Sequence, residues 1–77
     1  MEHYDIELDT RGLNCPIPIL RAKKSISQMT AGQVLRVTAT DPGSVKDMEA
    51  FCKQTGNELL ESNEGNGEFT FFLKKHA

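Results

Sequence analysis

The sequence predicts an α/β fold: a two-layer α/β sandwich in βαβαββ order, with two helices on one face of a mixed four-stranded sheet. Near the N-terminus, apolar and charged residues alternate with the period of a half-buried strand. Two later segments carry apolar residues at helical spacing, and each lies between strand-like segments. The last third holds an Asn-Gly pair between two strand-like runs, which is typical of a β-hairpin. Because crossover connections are right-handed, both helices are expected on the same face of the sheet.

The first strand and the first helix are predicted from a change of period. Tyr4, Ile6 and Leu8 alternate with acidic residues, and a loop containing Gly12 follows. From Pro16 the apolar spacing becomes helical, and proline suits the first helical position because its missing N–H is not needed there. The helix is predicted to run from Pro16 to about Met29, with an apolar stripe of Ile19, Ala22, Ile26 and Met29.

A central strand and a second helix follow. Residues 34–40 are rich in β-branched side chains and predict the strand. Asp41 is expected to cap the next helix, with Pro42 at its first position, and Gly56 to end it. Its apolar stripe is Val45, Met48, Phe51 and Cys52.

The C-terminal part predicts a hairpin. A third strand is expected over residues 57–62, a turn at residues 64–67 and a fourth strand over residues 68–75. The fourth strand places Phe69, Phe71 and Leu73 on one face. The other face of the sheet is expected to be solvated, because it carries Asp5, Glu7, Arg36 and Lys74.

Size and charge narrow the classes of function. With 77 residues we expect a single domain, residues 1–77, too small for a deep cleft, so that a macromolecular partner would close over any site. A net charge of -2 argues against direct binding to nucleic acid. No apolar run approaches the roughly 20 residues that span a bilayer, so no membrane contact is expected. The first residues do not resemble a signal peptide, so a cytoplasmic location is expected.

The two cysteines, Cys15 and Cys52, have different surroundings. Cys52 lies on the apolar stripe of the second helix, where a free cysteine packs as a small hydrophobic residue. The alternative is a thiol that resolves Cys15 in a redox cycle, although there is no Cys-x-x-Cys pair. The spacing does not suit a structural zinc site, and we expect neither a metal nor an organic cofactor.

Cys15 is predicted to be the reactive residue. It lies at the start of a helix, where the helix dipole favours a thiolate, and Arg11 of the same loop is expected to help. Pro16 and Pro18 stiffen the segment. The alternative is that Cys15 is only an unusual helix cap. His3 and His76 lie at the chain ends, which argues against a Cys–His hydrolase.

The residues around Cys15 resemble those of a known family. The segment Leu8–Pro18, with Gly-Leu followed by Cys-Pro-x-Pro, is similar to the signature of the TusA-type (SirA-like) sulfur carrier proteins. Their βαβαββ fold agrees with the predicted order. The similarity continues over nearly the whole chain, at Lys23-Lys24, Thr40-Asp41-Pro42, Asp47-Met48 and Phe51-Cys52 before Gly56.

The resemblance implies a TusA-like sulfur carrier domain, a sulfurtransferase that holds sulfane sulfur as a persulfide on Cys15. Arg11, Gly12, Pro16 and Pro18 would then shape the site. It implies a sulfur-donor protein, either a cysteine desulfurase or a rhodanese, and a DsrE-type (TusBCD-like) acceptor. Family members serve sulfur oxidation, 2-thiouridine synthesis in tRNA or molybdenum-cofactor supply, and residues 41–47 and 54–58 favour sulfur oxidation.

Partner docking is predicted on the first helix. Leu20 lies near Arg21 and Lys24, and this apolar residue among basic ones would suit an acidic partner surface, unless the face is merely solvated. Ile17, the x of Cys-Pro-x-Pro, is acidic in some members that serve tRNA thiolation. Two alternatives from other classes are a redox protein using Cys15 and Cys52, and a regulator that binds RNA. We expect a monomer.

Overall fold

The computed structural model describes residues 3–76 and contains two helices and four strands within that range. The order βαβαββ is the one that the hydrophobic periodicity predicts. The elements are β1 (Ile6–Thr10), α1 (Ile17–Ser27), β2 (Val34–Ala39), α2 (Ser44–Thr55), β3 (Glu58–Gly65) and β4 (Glu68–Lys74).

The four strands form one mixed sheet in the order β1-β2-β4-β3. β1 and β2 are parallel, with Leu8 opposite Val37. β4 is antiparallel to both of its neighbours, with Phe71 opposite Val37 on β2 and opposite Ser62 on β3. The predicted fold class is therefore confirmed.

Both helices pack against one face of this sheet and form the core with it. α1 contributes Ala22 and Ile26 of the predicted stripe, and α2 contributes Met48 and Cys52. Phe71 and Leu73 of β4 face them and are fully buried. Within residues 3–76, neither helix is long and apolar enough to cross a membrane.

The opposite face of the sheet is less solvated than the sequence predicts. Phe72 points to that side and is buried, because the ring of Tyr4 lies 6.3 Å from it. The guanidinium of Arg36 lies 5.5 Å from the centre of the Tyr4 ring and is paired with Glu7. Arg36, paired with Glu7, thus lies over Tyr4, which itself packs beside Phe72 on this face.

The element boundaries differ from the sequence prediction at both helix starts. α1 begins at Ile17, so Pro16 occupies the capping position rather than the first helical one. α2 begins at Ser44, with Gly43 in the capping position, and the expectation that Asp41 caps this helix is wrong. The Asp41 backbone carbonyl accepts hydrogen bonds from Ser44, but its carboxylate is directed to another loop.

The hairpin follows the sequence prediction closely. β3 extends to Gly65, which pairs with Glu68, so the loop consists of Asn66 and Gly67. Both loop residues have positive φ, 54° and 76°, as a type I′ turn requires. Gly56 ends α2 with a φ of 81°, a left-handed conformation that favours glycine.

Candidate functional site

The candidate site lies in the loop between β1 and α1, which is attached to the end of β2. Thr10 is buried and its hydroxyl donates a hydrogen bond to the Thr38 carbonyl at 2.7 Å. The N–H of Gly12, which has a φ of 82°, donates to Thr40 Oγ1 at 2.9 Å. Because β1 and β2 are parallel, the loops that follow them leave the sheet at the same end, the carboxyl ends of the strands. The segment before α1 therefore has a defined position relative to the loop that precedes α2.

Cys15 is exposed, and its backbone is held from the second loop. Its N–H donates to Asp41 Oδ2 at 2.9 Å. The loops approach closely at Gly43, where an added Cβ would lie 3.3 Å from that oxygen and 3.7 Å from Cys15 Cβ. A side chain at residue 43 would therefore crowd both Asp41 and Cys15.

The two prolines contribute differently to this segment. Pro18 lies in the first turn of α1 and is fully buried, whereas Pro16 is exposed beside Cys15. Neither proline has a backbone N–H that needs a hydrogen-bond acceptor. In this turn, the N–H of Ile17 donates to the Asn14 carbonyl at 2.8 Å, and the N–H of Leu20 donates to the Pro16 carbonyl at 3.1 Å. The start of α1 is thus anchored by apolar packing and by backbone hydrogen bonds.

The thiol of Cys15 donates a hydrogen bond to the carboxylate of Asp47, in the first turn of α2. This hydrogen bond raises the pKa of Cys15, and burial and the negative charges of Asp47 and Asp41 act in the same direction. The direction of this shift is therefore opposite to the one that the helix start alone favours. Two nearby carboxylates outweigh the weaker partial charge at the end of α1.

Arg11 lies elsewhere, and its predicted support for Cys15 is also wrong. Its guanidinium forms two 3.0 Å hydrogen bonds with Asp9 and lies 3.6 Å from Glu68. The hydrogen bonds from Arg11 hold the pKa of the Asp9 carboxyl at about 2. A carboxylate two residues away in sequence is thus the partner that binds Arg11.

Cys15 lies on the rim of a shallow groove of about 300 Å³ between α1 and α2. Leu20 lines this groove and is 57% exposed. Arg21 and Lys24, the other predicted docking residues, are exposed on α1 but do not line the groove. The complete lining is Cys15, Pro16, Ile19, Leu20, Lys23, Asp47, Ala50, Phe51 and Gln54.

Sequence reasoning missed Lys23 and the α2 side of this groove. Asp47, Phe51 and Gln54 are spaced by four and three residues, so they share one face of α2. That spacing is the available signal, but a polar residue beside the apolar stripe is common on any amphipathic helix. Only the packing of α2 against α1 shows that this face meets Cys15.

Cys52 is buried, and neither cysteine is in a disulfide. Burial raises the pKa of the Cys52 thiol to about 11. Its location in the core agrees with the packing prediction and disfavours a redox partnership with Cys15. His76 lies against Gly56, and His3 lies 3.9 Å from Asp5, so neither histidine lines the groove beside Cys15.

Comparison with known proteins shows the family. The model of the family "Sulfurtransferase TusA" matches residues 6–75. The chain is 65% identical over 75 residues to the sulfur carrier protein TusA of Allochromatium vinosum, covering 97% of this chain and 99% of that one. It is 40% identical over 74 residues to the TusA of Pseudomonas entomophila, covering 96% of this chain and 92% of that one.

The fold has a solved counterpart with the same architecture. The crystal structure of a SirA-like protein from Desulfitobacterium hafniense matches with a TM-score of 0.83 and 27% identity, over 95% of this chain and all of that one. The family signature, the full-length similarity and the shared fold agree with each other. This chain therefore belongs to the TusA family of sulfur carrier proteins.

Proposed function

We propose that this protein carries sulfane sulfur as a persulfide on Cys15 and passes it from a donor protein to an acceptor protein. One observation carries the proposal: the exposed thiol of Cys15 stands at the rim of the groove between α1 and α2, on a backbone fixed by Asp41. Membership in a family of sulfur carriers supports it. Cys52 is a poor alternative because its thiol is buried in the core.

The chemistry is an exchange that resembles thiol–disulfide exchange. Cys15 Sγ attacks the outer sulfur of a donor persulfide, R–S–SH. The Sγ–S bond forms, the S–S bond of the donor breaks, and the hydrogen of the Cys15 thiol ends on the departing donor thiol. The products are Cys15–S–SH and R–SH, and no external oxidant or reductant is needed. Unloading repeats the step, with an acceptor thiol attacking the outer sulfur.

The groove is the proposed docking surface for both partners. Leu20 is the most exposed of its large hydrophobic residues, and Lys23 adds a positive charge on the same wall. A partner loop carrying its own cysteine would cover Leu20 and approach Cys15 along the groove. We propose a cysteine desulfurase or a rhodanese as donor and a DsrE-type protein as acceptor, all in the reducing cytoplasm.

For the pathway, we favour a relay in sulfur oxidation. The support is the similarity of residues 41–47 and 54–58 to family members from sulfur-oxidising bacteria. Supply of sulfur for 2-thiouridine in tRNA, or for the molybdenum cofactor, is the alternative. Deleting the gene and measuring tRNA 2-thiouridine separates sulfur oxidation from tRNA thiolation, because a dedicated oxidation relay leaves that nucleoside unchanged and a thiolation protein does not.

The transfer itself is tested with a rhodanese loaded from thiosulfate. After mixing with the wild-type protein, persulfide should disappear from the rhodanese and appear on the carrier at up to one sulfur per chain. The Cys15→Ser variant should leave the rhodanese loaded. If the wild-type protein removes persulfide from no loaded donor, neither from the rhodanese nor from a loaded cysteine desulfurase, the proposed function is wrong.

A further inference from the structure

The contact between Cys15 and Asp47 has a consequence for how the free carrier reacts. In a hydrogen bond between a thiol and a carboxylate, the sulfur donates, so its hydrogen is directed at Asp47. Asp47 is half-buried in the first turn of α2, which limits its hydration. The contact joins the end of the β1–α1 loop to the other wall of the groove.

Charged groups lie near Cys15 on each of the elements around it. Asp47 comes from α2, Asp41 from the turn before α2, and Lys23 from the α1 wall of the groove. Both carboxylates disfavour a negative charge on Sγ and raise its pKa. Asp41 is already engaged by the backbone N–H of Cys15, whereas Asp47 contacts the thiol itself.

Building on the proposed sulfur-carrier function, we infer that Asp47 is a positioning residue that retains the hydrogen on Cys15 Sγ in the unloaded carrier. It directs the thiol along one wall of the groove and keeps it a slow nucleophile toward oxidants and small electrophiles. Loading removes the Sγ–H donor of this contact, because Sγ in Cys15–S–SH is bonded to Cβ and to the carried sulfur and has no hydrogen of its own. The restraint therefore acts on the empty carrier and not on the loaded one.

The inference is tested without any sulfur donor, by measuring the rate at which iodoacetamide alkylates Cys15 as a function of pH. Peptide masses separate Cys15 from the buried Cys52. Asp47→Asn removes the negative charge and keeps the shape, and should alkylate about fivefold faster at neutral pH, with a rate profile displaced to lower pH. Asp47→Glu, which restores a carboxylate, should return the profile toward that of the wild type.

The matched control is Glu49→Gln, which removes the same charge from an exposed position on the same helix. Its alkylation profile should follow the wild type, and circular dichroism should show that all variants are folded. Equal profiles for Asp47→Asn and wild type would overturn the inference, even if sulfur loading on Cys15 is intact. Conversely, a displaced Asp47→Asn profile together with no loading would support the role of Asp47 and reject the proposed function.

Discussion

The backbone N–H of Cys15 donates a hydrogen bond to Asp41 Oδ2 at 2.9 Å, although the two residues are 26 positions apart in the chain. Asp41 follows β2 and Cys15 precedes α1, so this bond joins the loops that lead into the two helices. It fixes the backbone of Cys15 from outside its own loop. In the proposed function, this restraint lets Cys15 present its thiol at the same position to a donor and to an acceptor.

Replacing Asp41 should loosen Cys15. Asp41→Ala removes the acceptor and should lower the free energy of unfolding by about 1 kcal/mol. The Cys15 amide should also exchange with deuterium faster, whereas Asp41→Asn keeps an acceptor oxygen and should preserve more of the protection. Hydrogen exchange followed by NMR measures both variants. Unchanged protection of the Cys15 amide in Asp41→Ala would show that the bond does not restrain the loop.

Leu20 should matter for partners and not for folding. Because its side chain is 57% exposed, Leu20→Ser should change the free energy of unfolding by no more than about 0.5 kcal/mol. It should slow sulfur transfer from a loaded rhodanese severalfold, while loading by inorganic polysulfide, which needs no docking, stays at the wild-type rate. Equal slowing with both donors would contradict a docking role.

Two adjacent lysines provide a matched pair for the same surface. Lys23 lines the groove and Lys24 does not, although both are exposed on α1. Lys23→Gln should therefore raise the donor concentration needed for half-maximal transfer more than Lys24→Gln does. The reverse order would favour the face formed by Arg21 and Lys24 that the sequence suggested.

Arg11 should affect Asp9 and not Cys15. In Arg11→Gln the pKa of the Asp9 carboxyl should rise from about 2 toward its ordinary value of 3.8, and NMR titration of the carboxyl measures this. Because the folded-state pKa is lowered, the pair stabilises the fold above pH 3.8, and this contribution is lost as pH falls toward 2. Slower sulfur loading in Arg11→Gln would contradict this and show that Arg11 does influence Cys15.

Cys52 should make the fold sensitive to alkali. Burial raises the pKa of this thiol from 9.0 to about 11, so the folded state retains its proton when the unfolded chain has lost it. Its contribution to stability is complete below pH 9.0 and is lost as pH rises through about 11. Cys52→Ala should be less stable at neutral pH because of the cavity, but its stability should fall less over this range in urea titrations.

The local parts of this structure could be predicted from the sequence, and the long-range contacts could not. Alternation in β1, the stripes of α1 and α2 and the Asn66-Gly67 turn each depend on residues close in sequence. The proposal for Cys15 also depends on nearby residues, because the glycine and prolines around it are its neighbours in the sequence. Asp41 was misassigned because a short polar side chain before a helix usually caps it, whereas here it binds the other loop.

The partners of Asp47 and Arg11 could not be predicted from the sequence. The Cys15–Asp47 contact joins residues 32 positions apart and depends on how α2 packs beside α1. Without this contact, the helix dipole and Arg11 were the visible influences on the thiol, and both favour a lower pKa, whereas Asp47 and Asp41 raise it. Arg11 was near Cys15 in sequence, but Asp9 and Glu68 offered its guanidinium closer partners.

The most direct test of the account is the intact mass of three proteins after incubation with polysulfide and removal of the excess. The wild type and Cys52→Ala should each gain the mass of one sulfur atom, which a reductant removes, and Cys15→Ser should gain none. Sulfur that remains bound to Cys15→Ser, or loading that is lost in folded Cys52→Ala, would contradict the assignment of Cys15 as the carrier residue.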